Sequence, residues 1–244
     1  MDPRRAGTIE PGEDRLNRRF ANARSPLRLL EKGLHGGLGP GNVGVVLAGH
    51  GVGKTAFLVA VALDELLRGG KVLHVCLNHS VAHVRSHYDT VFEDLVSTTH
   101  LEEEAVVHAE IDRQRSIRVY SPQYFSASKL RDAVKVESEA GGRPSVIVLE
   151  GLDCEVLDRD EFEDLKALAG ELAAEVWVSA ASRDEAPRVI PPWIIRFGDT
   201  ASVILALEPA GDCVALRALK DHDNPDLEAL HVALDPTTLL LVRR

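Results

Sequence analysis

Cysteine is scarce in this chain: Cys76, Cys154 and Cys213 are the only three in 244 residues, far apart and without a CxxC pair. That spacing offers neither a disulfide framework nor a cysteine zinc site, and two of the three sit inside apolar runs, where a thiol behaves as a small hydrophobe. Long apolar runs are missing too. None approaches the roughly 18 residues that span a bilayer, and the start, Met1-Asp2-Pro3-Arg4-Arg5, has no apolar segment of the kind that directs secretion. Arg4-Arg5 lacks the nearby hydrophobic stretch of a twin-arginine signal. A cytoplasmic protein with no membrane partner is the expectation.

Positive charge is in short supply. The 28 Lys and Arg residues stand against 38 Asp and Glu, a formal net charge of −10, which repels a polyphosphate and makes nucleic acid an unexpected partner. Also lacking are a Gly-x-Ser-x-Gly or Cys–His nucleophile arrangement and an Asn-Lys-x-Asp segment of the kind that reads guanine. With 45% hydrophobic and 27% charged residues, the chain has enough apolar sequence for a sizeable core.

Residues 1–25 are polar and rich in arginine, with Arg15, Arg18, Arg19 and Arg24 among Glu10, Glu13 and Asp14. They read as a flexible solvated arm, with docking on a neighbouring subunit as the alternative. Residues 26–244 read as one domain. Val43-Gly44-Val45-Val46-Leu47-Ala48 suits a strand buried on both faces. Residues 54–68 follow as a helix, with Phe57, Leu58, Val61 and Leu66 at helical spacing and Gly69-Gly70 as its stop.

Further strands are predicted at 72–77, 117–120, 146–149 and 176–178, and helices at 81–97, 102–115, 126–139 and 160–174. Strand-like runs at 203–207, 214–219, 230–234 and 239–242 close the chain. This order predicts an α/β fold: a mostly parallel central sheet flanked by helices, extended by antiparallel strands at the C-terminal edge.

Between the first strand and its helix lies Ala48-Gly49-His50-Gly51-Val52-Gly53-Lys54-Thr55, which fits the Walker A pattern. The context matters as much as the letters. Glycines at 49, 51 and 53 let successive N–H groups turn inward on phosphate oxygens, and the following helix adds its positive end. Lys54 is suited to the β and γ phosphates and Thr55 to magnesium. ATP and Mg²⁺ are the expected cofactors. His50 is expected to be simply exposed.

The segment Gly36-Gly37-Leu38-Gly39-Pro40-Gly41-Asn42 and the later Arg68-Gly69-Gly70-Lys71-Val72-Leu73-His74-Val75-Cys76-Leu77 resemble the corresponding parts of RecA-like P-loop ATPases, closest to the KaiC and DnaB-helicase branches. The resemblance covers residues 26–220 and is specific around 36–80. It implies a RecA-like fold that self-associates. It also implies that the end of the second strand carries a Glu-Glu pair that activates the attacking water; here Asn78 and His79 occupy those positions. An amide cannot serve as a general base, an effect typically worth ~10²–10⁴-fold, so only His79 remains to position water.

The family's magnesium-holding aspartate is matched by Glu150, with Asp153 as an alternative ligand. The fourth-strand run 176–182 resembles a γ-phosphate sensor, represented by Ser179 or Ser182. Residues 216–222 resemble the edge segment that reaches a neighbour's nucleotide, with Lys220 kept and His222 where an arginine would stand. Arginine fingers are worth ~10³–10⁵ in rate, and a histidine is charged only part of the time at neutral pH.

The expected function is therefore an ATP-binding switch or assembly factor with slow or absent hydrolysis. Two rivals stay open: an oligomeric ATPase motor acting on DNA or protein, and a small-molecule phosphotransferase using Arg183, Arg188 and Arg196 as a lid. His79, His83 and His87 recur every fourth residue and read as a solvated or subunit-facing stripe, with Zn²⁺ as the alternative. Asp221-His222-Asp223 reads as a polar turn.

Overall fold

Runs of apolar and β-branched residues become strands because a two-sided parallel sheet buries both of their faces. The computed structural model describes residues 26–101, 103–198, 200–227 and 229–244. The expected N-terminal arm lies outside the described residues. In chain order the elements are α1 (Leu27–Gly33), β1 (Val43–Ala48), α2 (Lys54–Leu67), β2 (Val72–Cys76), α3 (Val81–Thr99), α4 (Glu104–Gln114) and β3 (Arg115–Val119). There follow α5 (Ala127–Gly141), β4 (Val146–Glu150), α6 (Arg159–Leu172), β5 (Glu175–Ala181), α7 (Pro192–Ile195), β6 (Ala201–Ala210), β7 (Cys213–Asp221), β8 (Val232–Leu234) and β9 (Leu241–Arg243).

Among the described residues the strands form one sheet in the order β3-β2-β4-β5-β1-β6-β7-β8-β9. Pairings from β3 through to β6 are parallel, and those from β6 to β9 are antiparallel. The expected class, a mostly parallel sheet with helices on its faces and antiparallel strands at one edge, is the architecture observed. Alternation along each strand divides the core in two. Val46, Val72, Val148 and Trp177 face α1 to α4, whereas Val45, Leu73, Ile147 and Val178 face α5 and α6. No helix among the described residues is long and apolar enough to cross a membrane.

Several boundaries differ from the sequence reading. Arg115 was expected to end a helix, yet it opens β3, because its side chain is drawn inward to Asp112 and over the Tyr88 ring, 4.4 Å from the centroid. The last two strands are shorter than read. His231, just before β8, and Leu239, in the turn before β9, take positive φ, 50° and 56°, which delays the start of each strand. Helices α1 and α7 were not anticipated. Leu27, Leu30 and Leu34 of the α1 region are buried, but they follow directly on an arginine-rich stretch that masks the period. The expected turn at Asp221-His222-Asp223 is present, closed by Asn224 N donating to Asp221 O at 2.9 Å, but Asp221 also ends β7, is 1% exposed, and meets His35 Nδ1 at 2.7 Å through Oδ2.

Candidate functional site

Parallel strands all end on the same side of the sheet, so β1, β2, β4 and β5 deliver their following loops to one place. β5 stands between β1 and β4. The turn after β1 and the end of β4 therefore face each other across the end of β5, and Ser179 of β5 lies beneath them, 4% exposed.

The turn itself is built by glycine. Gly51 and Gly53 have φ of 75° and 116°, a region that costs a side-chain-bearing residue strain. Gly53 has a second reason to be glycine, since a Cβ there would stand 2.5 Å from Leu234 Cδ2 of β8. Helix α2 begins at Lys54 with no side-chain cap and no acidic residue in its first turn. Its first N–H groups are thus left for another acceptor, with the positive end of the helix behind them. His50 is exposed, as expected.

Lys54 Nζ donates to the carbonyls of Ala48 at 3.0 Å and Gly49 at 2.8 Å. Burial lowers its pKa from the usual lysine value, with the charge of Glu150 pulling the other way. The Thr55 hydroxyl donates to Glu150 Oε1. Burial pushes the Glu150 carboxyl up, but the nearby His74 imidazole, the hydrogen bond from Thr55 and the imidazole of His79 outweigh it, so its pKa lies below the usual carboxylate range. This group holds its negative charge although it is 4% exposed.

Residues named from sequence fall into four sets. Lys54, Thr55 and Glu150 are brought together, and the Ser179 hydroxyl accepts from Gly151 N at 3.1 Å, tying the end of β5 to the end of β4. Asn78 and His79 sit beside them. The Asn78 side chain packs so closely on Gly151 that a Cβ there would be 2.6 Å from it, and Asn78 Oδ1 receives Cys76 Sγ at 3.2 Å. Asp153 is exposed, and its Oδ1 is used by Glu155 N at 3.1 Å. Ser182 Oγ likewise accepts from Asp184 N at 3.0 Å.

Lys220 and His222 stand apart. Lys220 pairs opposite Ile204, itself opposite Val45. It is thus two strands away and about three residues, some ~10 Å, down from Ala48. Its Nζ donates to Gly198 O at 3.4 Å, and His222 Nε2 donates to Gly37 O at 3.1 Å. Of the arginines considered for a lid, Arg183 pairs with Glu155 at 2.7 Å and Arg196 donates to the carbonyls of Cys154 and Glu155, each at 2.7 Å.

The histidine stripe is continuous. His79 and His83 rings are 4.2 Å apart and those of His83 and His87 4.8 Å, His79 joining from just before α3. His87 is half-buried, and burial, followed by its neighbour His83, lowers its pKa. Among the described residues no cluster of three or more His, Cys, Asp or Glu is arranged to hold a metal.

Sequence reasoning passed over His74. It is fully buried on β2, with Nδ1 3.1 Å from the Tyr88 hydroxyl and Nε2 3.4 Å from Glu150 Oε2. The one available signal was a polar residue inside an otherwise apolar strand. A scan against protein-family models finds no match to this chain, and a search of curated proteins finds none that is significant.

Proposed function

We propose that this chain is a RecA-like P-loop protein that binds a magnesium nucleoside triphosphate, ATP first, and acts in the cytoplasm as a nucleotide-dependent switch or assembly factor with slow or absent hydrolysis. The observation that carries the reading is the meeting of Thr55 and Glu150 beside a glycine turn whose lysine already points at its own loop carbonyls. A hydroxyl and an ionised carboxylate are hard oxygen donors of the kind that hold magnesium directly and through its waters. The uncapped start of α2 and the Lys54 ammonium suit an anion. The donor set therefore fits both parts of the cofactor.

Bound there, magnesium supplies charge neutralisation between phosphate oxygens. The chain's own contributions are positional. Backbone N–H groups of residues 49–55 orient the phosphates, Lys54 exchanges loop carbonyls for phosphate oxygen, and Thr55 and Glu150 hold the cation's side. Asn78 offers no base, and its contact with Gly151 keeps an amide where a carboxylate would serve a hydrolase. Lys220 acts, in this reading, on the nucleotide of another copy of the chain, because it lies away from its own cradle.

The ties of Arg183 and Arg196 to Glu155 and Cys154 count against the phosphotransferase alternative. The test is the affinity of the protein for ATP and GTP with magnesium, together with its turnover. Micromolar binding with turnover far below ~1 s⁻¹ is expected; rapid turnover would remove the switch, and no binding of either nucleotide would remove the whole reading.

A further inference from the structure

We propose that His74 is the positioning residue that fixes the Glu150 carboxylate for magnesium, an inference that rests on the nucleotide reading above and deepens it. Histidine is costly at this point of the fold. An imidazole nitrogen buried without a partner forfeits its hydration, and every other residue of β2 is apolar. Its Nδ1 has the Tyr88 hydroxyl at 3.1 Å, and Tyr88 is itself 1% exposed and held under the Arg115 guanidinium. Its Nε2 makes no hydrogen bond within the usual limit, and Glu150 Oε2 faces it at 3.4 Å.

A neutral imidazole carries one donor and one acceptor. In the proposed arrangement the Tyr88 hydroxyl donates to Nδ1 and the ring proton sits on Nε2, the nitrogen that lies 3.4 Å from Glu150 Oε2. Thr55 takes the other oxygen, Oε1, and Cys76 Sγ at 3.9 Å from Oε2 adds only a weak contact. Glutamate has one more torsion than aspartate to fix, so its head needs support on both oxygens. With His74 on Oε2, the Thr55 hydroxyl keeps its hydrogen on Oε1 and its lone pairs free for a cation. The chain Tyr88–His74–Glu150–Thr55 ties α3 to the metal side of the cradle, in the manner of partners that orient metal ligands from behind.

The experiment is a magnesium titration of fluorescent-ATP binding to the full chain, for wild type, His74→Leu, His74→Gln and Tyr88→Phe, with ¹⁵N NMR of the His74 ring in nucleotide-free wild type. Losing such a partner typically weakens metal affinity about 10–100-fold. The His74→Leu midpoint is expected to rise by that factor, while metal-free ATP affinity changes less than about twofold. The amide of His74→Gln recovers most of the loss, Tyr88→Phe falls between, and the ring spectrum has the proton on Nε2.

A midpoint unmoved in His74→Leu, equal losses with and without magnesium, a glutamine no better than leucine, or a proton on Nδ1 would each overturn the role. If His74→Leu does not fold, the glutamine and Tyr88→Phe variants and the ring spectrum decide. If wild type binds no nucleotide, the nucleotide reading falls and this inference with it. If wild type binds and Lys54→Ala does not, unchanged midpoints remove His74 alone.

Discussion

At the level of single residues, the cradle combines two kinds of constraint. Gly53 is held both by its φ of 116° and by Leu234. Gly53→Ala is expected to lower unfolding stability by more than about 1 kcal/mol, as alanine does at positive φ. Leu234→Ala removes the contact at its own cavity cost of about 2–5 kcal/mol, so the informative quantity from urea denaturation is the further loss that Gly53→Ala causes in that background, which should shrink but persist because the backbone strain remains. A further loss of zero would mean that packing alone excludes a side chain at 53. Asn78 and His79 pose a chemical question. If hydrolysis is slow because no carboxylate stands at the end of β2, then Asn78→Glu with His79→Glu should raise ATP turnover, by at least tenfold for a positioned base. Unchanged turnover would place the cause elsewhere.

Among the elements, α3 bears more on the site than its sequence suggested. Its inner face carries Val84, Tyr88, Val91 and Phe92 into the core, and Tyr88 meets His74. Burial pushes the Tyr88 phenol well above the ordinary tyrosine range, with Arg115 opposing. A group whose pKa is raised on folding stabilises fully below its unfolded value and loses that contribution as pH rises beyond it. Stability to urea should therefore fall as pH climbs past ~10, and Tyr88→Phe should flatten that limb. The Cys154 thiol, pushed by burial up to about 12, adds a loss that begins nearer pH ~8.5. An alkaline limb identical in wild type and Tyr88→Phe would mean that the phenol ionises without unfolding.

Legibility followed the same logic across elements. β1 and β4 could be read from unbroken apolar runs, and α2 from the spacing of Phe57, Leu58, Val61 and Leu66, because burial on a fixed face imposes a period. The turn at 48–55 and the match of Thr55 with Glu150 were readable from motif and context. Arg115 was not, since its pairing with Asp112 is an i,i+3 contact that also suits a helix, and the partner that draws it into the sheet edge, Tyr88, is far away in sequence. His74 was invisible for a similar reason. Its partners lie on α3 and β4, and one polar residue in an apolar strand does not say which contacts satisfy it.

For the molecule as a whole, the sheet has a parallel and an antiparallel half. Its parallel half gathers Lys54, Thr55, Glu150 and Ser179 at one set of strand ends, while the antiparallel edge carries Lys220 at a lower level of the sheet. The proposed function puts a compact polyanion at the end of the sheet where Lys54 and the uncapped start of α2 lie, in a chain whose net charge is −10. The most direct measurement is calorimetric titration of wild type and Lys54→Ala with magnesium ATP. The account expects saturable one-site binding to wild type and a loss of at least about 100-fold in the variant, the scale of a few kcal/mol for charge-assisted contacts. Wild type that takes up no nucleotide, or a variant that binds as tightly as wild type, would contradict it.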